Sequence, residues 1–320
     1  MTAKQRSVRI ARKLDEAVDI CSFELVDADG GPLPPFSAGS HVDVHLPGGL
    51  VRQYSLCNEP GETHRYLIAV LRDPASRGGS IAMHDLVEGQ QVCISEPKNH
   101  FELAAHAKRS LLLAGGIGIT PILCMAERLA NVGADFELHY CTRSRERTAF
   151  VDRIASGRIA SRTHLHHDDG APEQQLDASR LLASQGAGTH LYVCGPTGFM
   201  DWVLSTARAA GWPEAQLHRE YFAAAAIDTR GDGSFEVQIA STGAVIQIAA
   251  DQTVVAALAA QGIEVQTSCE QGVCGTCLTR VLDGVPDHRD MYLTPDEQSK
   301  CDQFTPCCSR AKSARLVLDL

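Results

Sequence analysis

The sequence lacks a long hydrophobic run, and it also lacks an excess of basic residues. No stretch of about 18 consecutive apolar residues is present, which argues against a membrane-spanning helix. The opening residues, MTAKQRSVRI, contain no apolar segment typical of a signal peptide. The net charge of −10 disfavours nucleic acid as a partner. We therefore expect a cytoplasmic protein that contacts neither membranes nor nucleic acids.

Internal repeats and low-complexity tracts are absent as well, and 320 residues are enough for two or three ordinary domains. The chain has twelve cysteines. In a reducing compartment such a number favours metal binding or catalysis over disulfides. Eight of the twelve are scattered along the chain, and most of these are expected to be small buried hydrophobic side chains.

The pattern of hydrophobic residues changes twice along the chain. The first hundred residues contain short alternating strands between Gly/Pro turns, as in HVDVHL at 41–46. They predict an antiparallel barrel or sandwich, with a helix over 80–87. Continuous apolar runs such as SLLLAGG then alternate with helical segments, which predicts a parallel α/β sheet. One of these helices should have Pro121 in its first turn and Gly133 just past its end.

A third pattern begins near residue 235. It predicts a hairpin around Thr242 and Gly243, a helix ending at Gly262, a cysteine-rich loop and a final strand. The alanine run at 223–226 is predicted to be a linker. The predicted domains are therefore an antiparallel domain over 1–105, an α/β domain over 106–225 and a small domain over 226–320.

Three cysteines of the small domain, Cys269, Cys274 and Cys277, have the spacing C-x4-C-x2-C. Cys307 follows Cys277 after 29 intervening residues, with Cys308 beside it. This spacing is typical of a plant-type [2Fe–2S] cluster, in which one loop supplies three thiolates and a distant segment supplies the fourth. Neighbouring side chains of an extended segment point in opposite directions, so only one of the last two thiols can face the cluster. Cys307 is the predicted ligand, and Cys308 stays the alternative.

Two alternatives remain for this loop. A structural zinc site usually has two C-x2-C pairs, and only one is present. A disulfide is disfavoured by the reducing compartment. Gly272 and Gly275 favour the cluster, because glycines let the backbone approach and direct N–H groups at sulfur.

Two glycine-rich turns follow strands of the α/β domain. LLLAGGIGITP places Gly115, Gly116 and Gly118 before a helix, where a dinucleotide pyrophosphate could approach the backbone. Thr120 is expected to cap that helix or to donate to a phosphate. The spacing differs from the dehydrogenase fingerprint G-x-G-x-x-G, and such a turn alone is weak evidence. A second turn in VCGPTGFM contains Cys194, Gly195 and Pro196.

The antiparallel domain contains two stretches suited to a flavin. The stretch RQYSL contains Arg52, Tyr54 and Ser55. The arginine can bind phosphate, the tyrosine can lie against a flat ring, and the serine can hydrogen-bond a ring nitrogen. In SRGGS, a glycine turn opens a helix and predicts a phosphate site formed by Arg77, Gly78, Gly79 and Ser80. An ordinary exposed strand and an ordinary capped turn are the alternatives for the two stretches.

Six motifs follow one another along the chain: RQYSL, SRGGS, AGGIGITP, YVCGPTGFM, REYF and SCEQGVCGTC…CCSR. With these motifs in this order, the chain resembles the phthalate dioxygenase reductase-type family, which includes vanillate demethylase reductases. The resemblance extends over about residues 5–320. It implies a ferredoxin-reductase-like antiparallel β-barrel for flavin, an α/β NAD domain with a parallel sheet and a C-terminal α+β ferredoxin domain of the β-grasp type. The chain departs from the family motifs at Cys57, after YSL, and at Cys308.

The resemblance also assigns residues to cofactors. It implies contacts with FMN for Arg52, Tyr54, Ser55, Arg77, Gly78, Gly79 and Ser80. It implies contacts with NADH for Gly116, Gly118, Thr120, Thr142, Arg143, Cys194, Gly195 and Pro196. Around the reacting rings, Ser55 is expected to tune the flavin, Cys194 to shape the nicotinamide pocket, and Phe222 of REYF to shield the flavin face or to pack between domains.

Two further details concern the nucleotide. NADPH stays an alternative to NADH, because Arg143, Arg145 and Arg147 could accept a 2′-phosphate. The stretch HHDDG at 166–170 resembles a loop near the pyridine nucleotide, and metal ligation by its histidines is not expected.

The resemblance implies the reductase component of a two-component Rieske-type non-haem iron oxygenase of aromatic catabolism. Hydride would pass from NADH to FMN, and single electrons would then leave through a cluster near −400 mV, the approximate potential of plant-type ferredoxins. A stand-alone NAD(P)H:acceptor or flavin reductase is the alternative, as is a non-enzymatic iron–sulfur redox sensor.

The charge suggests where the oxygenase docks. Residues 226–320 contain 13 acidic and 7 basic residues. The acidic residues include Asp283, Asp287, Asp290, Asp296 and Glu297. They predict either a solvated face or electrostatic steering towards a basic patch of the oxygenase. The family resemblance favours a monomer.

Overall fold

The computed structural model describes residues 5–76, 78–222 and 229–320. The chain divides into two compact units, Met1–Glu220 and Tyr221–Leu320. The predicted order of an antiparallel sheet, a parallel α/β sheet and a mixed α+β domain is confirmed. The domain boundaries stay predictions, and the predicted linker over 223–226 lies outside the described residues.

The first sheet has seven antiparallel strands with the order β4-β3-β6-β1-β2-β5, and β7 pairs with β3. Its strands are β1 (Gln5–Ala17), β2 (Ile20–Asp27), β3 (Ser40–His45), β4 (Val51–Ser55), β5 (Tyr66–Leu71), β6 (Gln91–Ser95) and β7 (Lys98–Asn99). Helix α1 (Gly79–Asp85) starts one residue before its predicted range and ends two residues before the predicted end.

The second sheet is parallel, with the order β10-β9-β8-β11-β12. Its strands are β8 (Arg109–Gly115), β9 (Phe136–Thr142), β10 (Thr163–His167), β11 (Thr189–Cys194) and β12 (Leu217–Glu220). β8 and β11 are buried along almost their whole length, which explains their continuous apolar sequences. The central position of these two strands brings both glycine turns to one edge of the sheet.

The helices between these strands are α2 (Ile119–Asn131), α3 (Val151–Ser156), α4 (Ala178–Ala183) and α5 (Thr197–Ala209). Pro121 lies in the first turn of α2, and Gly133 follows its end with a φ of 68°, as predicted. Of the two roles predicted for Thr120, the N-cap of α2 is wrong, and the contact with a phosphate stays a prediction. The N-cap is Gly118, and the Thr120 hydroxyl, inside the helix, donates to the Ile117 carbonyl at 3.1 Å.

The C-terminal unit has a five-stranded mixed sheet with the order β14-β13-β19-β15-β17 and a separate pair, β16-β18. Its elements are β13 (Phe235–Ile239), β14 (Val245–Ile248), α6 (Val254–Ala260), β15 (Thr279–Asp283), β16 (Pro286–Asp287), α7 (Pro295–Ser299), β17 (Gln303–Phe304), β18 (Arg310–Ala311) and β19 (Arg315–Leu318). The predicted hairpin is the β13–β14 pair, which turns at Gly243, and the chain ends with the predicted strand.

Each unit has its own hydrophobic core. The core of the C-terminal unit contains Val237, Leu258, Phe304 and Leu316, all completely or almost completely buried. The expectation for the scattered cysteines holds for only half of them: Cys21, Cys57, Cys124 and Cys194 are buried, whereas the others are partly or fully exposed. In the part of the chain described here, no helix combines the length and the apolar composition needed to cross a bilayer.

Candidate functional site

The predicted flavin residues lie on β4 and at the start of α1. Arg52, Tyr54 and Ser55 belong to β4, which pairs antiparallel with β3. The Arg52 side chain crosses Gly79 so closely that a Cβ at this glycine would lie 2.6 Å from Arg52 Nε. Because residue 79 is glycine, the Arg52 side chain can lie next to the turn at the start of α1. The guanidinium and the turn together form a set of hydrogen-bond donors that suits the phosphate of FMN.

The same turn is shaped by two further residues. Gly78 has a φ of 90°, a conformation that side-chain-bearing residues rarely adopt. Ser80 Oγ accepts a hydrogen bond from the Asp73 amide at 3.1 Å, which leaves the hydroxyl proton to be donated. Arg77 lies outside the described residues. Burial raises the pKa of Tyr54, so this phenol is neutral and can present its ring to a flavin.

The two glycine turns of the parallel sheet pack directly against each other. A Cβ at Gly118 would lie 2.2 Å from the Cys194 carbonyl oxygen, and a Cβ at Gly195 would lie 2.9 Å from Gly115 Cα. Gly116 has a φ of 53°. Glycine is therefore required for both turns to share one edge of the sheet, at the carboxyl ends of β8 and β11, where ligands of open parallel sheets bind. This backbone-lined edge suits the pyrophosphate of a dinucleotide.

Thr142 and Arg143 follow the end of β9 at the same edge. Thr142 is buried, and its hydroxyl lies 2.7 Å from Thr148 Oγ1 and 3.0 Å from His167 Nδ1. Its hydroxyl therefore orders the loop, whereas Arg143 is exposed and can reach a ligand. Arg145 and Arg147 are exposed too, so the possible contact with a 2′-phosphate also stays a prediction.

Cys194 and Ser55 are linked through a carboxyl group that the sequence reasoning missed. Glu220, the last residue of β12, accepts a hydrogen bond from Ser55 Oγ at 3.2 Å. Glu220 is closely surrounded by protein atoms although part of its surface is accessible, and this burial raises its pKa to about 8 despite the opposing effect of Ser55. Burial, followed by the charge of Glu220, raises the pKa of Cys194, so this thiol is neutral.

Only the folded chain reveals this link, because Ser55 and Glu220 are 165 residues apart in sequence. The available sequence signal was weak: an acidic residue at the carboxyl end of a strand, inside the REYF stretch. Phe222 of the same stretch is 40 % exposed and belongs to the C-terminal unit.

The cysteine loop runs between α6 and β15 in the C-terminal unit. Hydrogen bonds connect the thiols of Cys274 and Cys307 to Cys269, and Cys307 also hydrogen-bonds Cys277. The structure thus brings the four predicted ligands together. The thiols of Cys274 and Cys307 lower the pKa of Cys269, which favours its thiolate. This set of four sulfurs fits a [2Fe–2S] cluster.

Glycines shape this loop as predicted. A Cβ at Gly272 would lie 2.4 Å from Cys308 Sγ, and one at Gly275 would lie 2.3 Å from the Tyr292 ring. Backbone N–H groups point at sulfur: Gln271 N donates to Cys269 Sγ at 3.3 Å and Thr276 N donates to Cys274 Sγ at 3.4 Å. Such bonds stabilise thiolate ligands.

Cys308 has different surroundings from Cys307. Its Sγ lies 3.3 Å from Thr305 Oγ1 and 3.8 Å from Ser309 Oγ. The Cys307 thiol hydrogen-bonds two thiols of the loop and its neighbour Cys308, whereas the Cys308 thiol hydrogen-bonds Cys307 and the hydroxyls of Thr305 and Ser309. This difference favours Cys307 as the fourth ligand.

Together, the fold and these sites define a flavin- and iron–sulfur-dependent oxidoreductase that uses a nicotinamide nucleotide. Residues 237–312 match the 2Fe-2S iron-sulfur cluster binding domain, and residues 94–217 match the N-terminal domain of dimethylamine monooxygenase subunit DmmA-like proteins.

Whole-chain relatives agree with this class. The chain is 62 % identical to a vanillate O-demethylase oxidoreductase of Pseudomonas sp., over 95 % of this chain and 96 % of the relative. It is 44 % identical to phthalate dioxygenase reductase of Burkholderia cepacia, over 98 % and 97 % of the two chains. A solved phthalate dioxygenase reductase structure has 43 % identity and a TM-score of 0.76, covering 99 % of this chain and 98 % of the other.

The chain belongs to the phthalate dioxygenase reductase-type family of oxygenase reductases. It is an electron-transfer reductase component that uses NADH, FMN and a [2Fe–2S] cluster.

Proposed function

We propose that this reductase serves an oxygenase of the vanillate O-demethylase kind, a Rieske-type non-haem iron enzyme. The observation that carries the proposal is the 62 % identity to a vanillate O-demethylase oxidoreductase across nearly the whole of both chains. The reductase does not bind the aromatic substrate in this scheme, so the specificity for vanillate or a related methoxylated acid belongs to the oxygenase.

In this proposal, bound flavin chemistry links the two-electron donor NADH to a one-electron iron–sulfur acceptor. Arg52, with the turn of Arg77, Gly78, Gly79 and Ser80, binds the FMN phosphate. Tyr54 lies against the flavin ring and Ser55 hydrogen-bonds its edge, while Phe222 covers the ring face. The support is the contact between Arg52 and Gly79 and the position of Ser55 beside Glu220.

The nucleotide is bound at the edge formed by the two glycine turns. The backbone at Gly116 and Gly118 takes the pyrophosphate, with Thr120 and Thr142 ordering the adjoining segments and Arg143 contacting the nucleotide. Cys194, Gly195 and Pro196 shape the nicotinamide pocket. A neutral Cys194 thiol suits this role, because an apolar, uncharged wall positions the nicotinamide without attacking it.

The cluster is held by Cys269, Cys274, Cys277 and Cys307, and the oxygenase docks on the acidic C-terminal unit. The support for docking is its excess of acidic residues, 13 against 7 basic ones over 226–320. One residue predicted for this face is misplaced: Asp290 is buried and accepts from the Leu293 amide at 2.8 Å. Asp283 and Asp296 are exposed and carry the proposal. We further propose a monomer located in the cytoplasm, with domains over 1–105, 106–225 and 226–320.

Coupled turnover tests this function. The holoprotein is mixed with a vanillate O-demethylase oxygenase or, as a control, with an unrelated flavin-free acceptor such as ferricyanide. We expect NADH oxidation matched by demethylated product only when the oxygenase is present. NADH oxidation with ferricyanide but no product formation with this oxygenase would refute the proposed partner.

A further inference from the structure

A group of histidines and one glutamate lies on a face of the parallel sheet. Glu137 and His139 are two residues apart on β9, so they point to the same face. His164 of β10 is directly opposite His139 in the register of the two parallel strands. One oxygen or nitrogen atom of each of the three side chains lies within 4.8 Å of the other two.

This group is separate from the nucleotide edge of the sheet. Glu137 lies near the amino end of β9 and His139 at its middle, whereas Thr142 ends the strand. The three residues from His139 to Thr142 correspond to about 10 Å along a strand. The group is therefore not part of the sites described above.

The distances within the group match those between ligands of a metal ion. Glu137 Oε1 lies 3.2 Å from His139 Nε2 and 3.0 Å from His164 Nε2. Two ligand atoms bound tetrahedrally to Zn²⁺ at about 2.05 Å are about 3.3 Å apart. The second oxygen of Glu137, Oε2, accepts from Arg109 at 2.6 Å, which turns Oε1 towards the histidines.

The hydrogen bonds behind His139 set the position of its proton. The Gln174 carbonyl can only accept, so His166 Nδ1, 2.9 Å away, carries a proton. In a neutral His166 the other nitrogen, Nε2, then accepts from His139 Nδ1 at 2.9 Å. His139 Nε2 is consequently left with a lone pair.

That lone pair faces another acceptor. The His139 side chain is only 8 % exposed, and its Nε2 has no hydrogen-bond partner among the described residues. Its neighbour Glu137 Oε1 carries lone pairs of its own. A cation between His139 Nε2 and Glu137 Oε1 would be bound by both lone pairs and would remove the repulsion between them. In addition, a histidine that binds a metal through one nitrogen usually donates a hydrogen bond from the other, as His139 does.

We propose that Glu137, His139 and His164 bind a divalent transition-metal ion, with Zn²⁺ as the ion that two imidazoles and one carboxylate at this spacing favour. His166 is a positioning residue that orients His139. His164 is 50 % exposed, which leaves a fourth coordination position open to water. The ion links β10, at the edge of the sheet, to the neighbouring strand β9.

Zinc titration of the untagged holoprotein, loaded with FMN and cluster, tests the proposal by calorimetry and thermal unfolding. The variants His164→Gln and Glu137→Gln each remove one ligand. His64→Gln is the matched control, because His64 is exposed and lies outside the group. Other zinc-binding groups of the chain contribute equally to all four proteins.

We expect the wild type and His64→Gln to bind one more equivalent of Zn²⁺ than either ligand variant, with a rise in Tm that both ligand variants lack. His166→Gln should keep the stoichiometry and weaken the affinity by about 10- to 100-fold, the usual effect of losing such a partner. Equal stoichiometry and affinity in the wild type and His164→Gln would overturn the proposal.

Discussion

At the scale of single residues, Cys307 and Cys308 show how neighbouring thiols acquire different roles. Cys307 is buried and hydrogen-bonds two thiols of the C-x4-C-x2-C loop, whereas Cys308 bonds Thr305 and Ser309. The sequence predicted that only one of the two faces the cluster. The choice of Cys307 is supported by this tertiary contact.

We therefore predict that Cys307→Ser loses the cluster and that Cys308→Ser keeps it. A serine at 308 can still hydrogen-bond Thr305, whereas a serine at 307 is a poor replacement for a thiolate ligand. Iron content and the visible spectrum of the two purified variants provide the measurement. A full complement of iron in Cys307→Ser, together with its loss in Cys308→Ser, would reverse the assignment.

Glu220 leads to a prediction about pH. Its pKa of about 8 means that the carboxyl is mostly neutral at pH 7 and becomes charged above pH 8. If Ser55 contacts the flavin, a negative Glu220 opposes the negative charge that arrives with the hydride. The repulsion is at least about 1 kcal/mol, the value for unit charges about 4 Å apart in water, because the surroundings of the buried carboxyl screen charge less than water does.

Flavin reduction by NADH should therefore slow by at least about threefold as the pH rises through about 8. Glu220→Gln cannot ionise, so its rate should stay nearly constant over the same range. Stopped-flow bleaching of the flavin measures both profiles. A pH profile of Glu220→Gln identical to that of the wild type would exclude Glu220 as the titrating group.

The residues that sequence reasoning misplaced share a physical cause. The sequence shows that Asp290 adds to the acidic charge of its domain, but only the fold shows that it is buried and accepts a hydrogen bond from the Leu293 amide. The Thr120 hydroxyl donates to Ile117 because α2 already begins at Ile119. The surroundings of Asp290 depend on tertiary contacts, and those of Thr120 depend on the exact residue at which a helix starts. Local residue preferences define both of these features poorly.

At the scale of elements, the sequence predicted the strands and helices better than it predicted the surroundings of single residues. Continuous apolar runs identified the buried parallel strands, and the glycine after α2 marked the end of that helix, because both signals are local. The contact between the two glycine turns was not predicted. It requires β8 and β11 to be neighbours in the sheet, and strand order is not encoded by any single motif.

Gly118 provides the prediction at this scale. Gly118→Ala would place a Cβ 2.2 Å from the Cys194 carbonyl oxygen, so the two turns must separate. Such overpacking typically costs about 1–3 kcal/mol, and we expect the KM for NADH to rise by at least about tenfold. Denaturant unfolding and steady-state kinetics measure the two effects.

Gly198→Ala is the matched control, because no atom lies within 4 Å of a Cβ at this helical position. Alanine is also the better helix former, so the control should be neutral or slightly stabilising. An unchanged stability and KM in Gly118→Ala would show that the turns tolerate separation and that their packing does not define the nucleotide edge.

At the scale of the whole molecule, the distribution of charge bears on the oxygenase partner. Asp283 and Asp296 of the C-terminal unit are exposed, whereas Asp287 pairs with Arg289 at 2.9 Å. If the acidic unit steers the encounter, attraction acts mainly on the association rate and is screened by salt.

The double variant Asp283→Asn, Asp296→Asn should slow reduction of the oxygenase by roughly twofold to tenfold at low ionic strength, with little difference at high salt. Glu173→Gln, at an exposed position of the other unit, should leave the rate unchanged. Stopped-flow mixing with the oxygenase over a salt series gives the rates. A wild-type rate independent of ionic strength would rule out steering.

The order of electron transfer is the central claim, and Cys274→Ser tests it most directly. This variant removes one predicted cluster ligand from the C-terminal unit and leaves the unit Met1–Glu220 unchanged. After anaerobic mixing with NADH and the oxygenase, we predict that its flavin is reduced at the wild-type rate, that cluster absorption is absent and that the oxygenase stays oxidised. Reduction of the oxygenase by cluster-free Cys274→Ser at the wild-type rate would contradict the account, because electrons would then leave the protein without passing through the cluster.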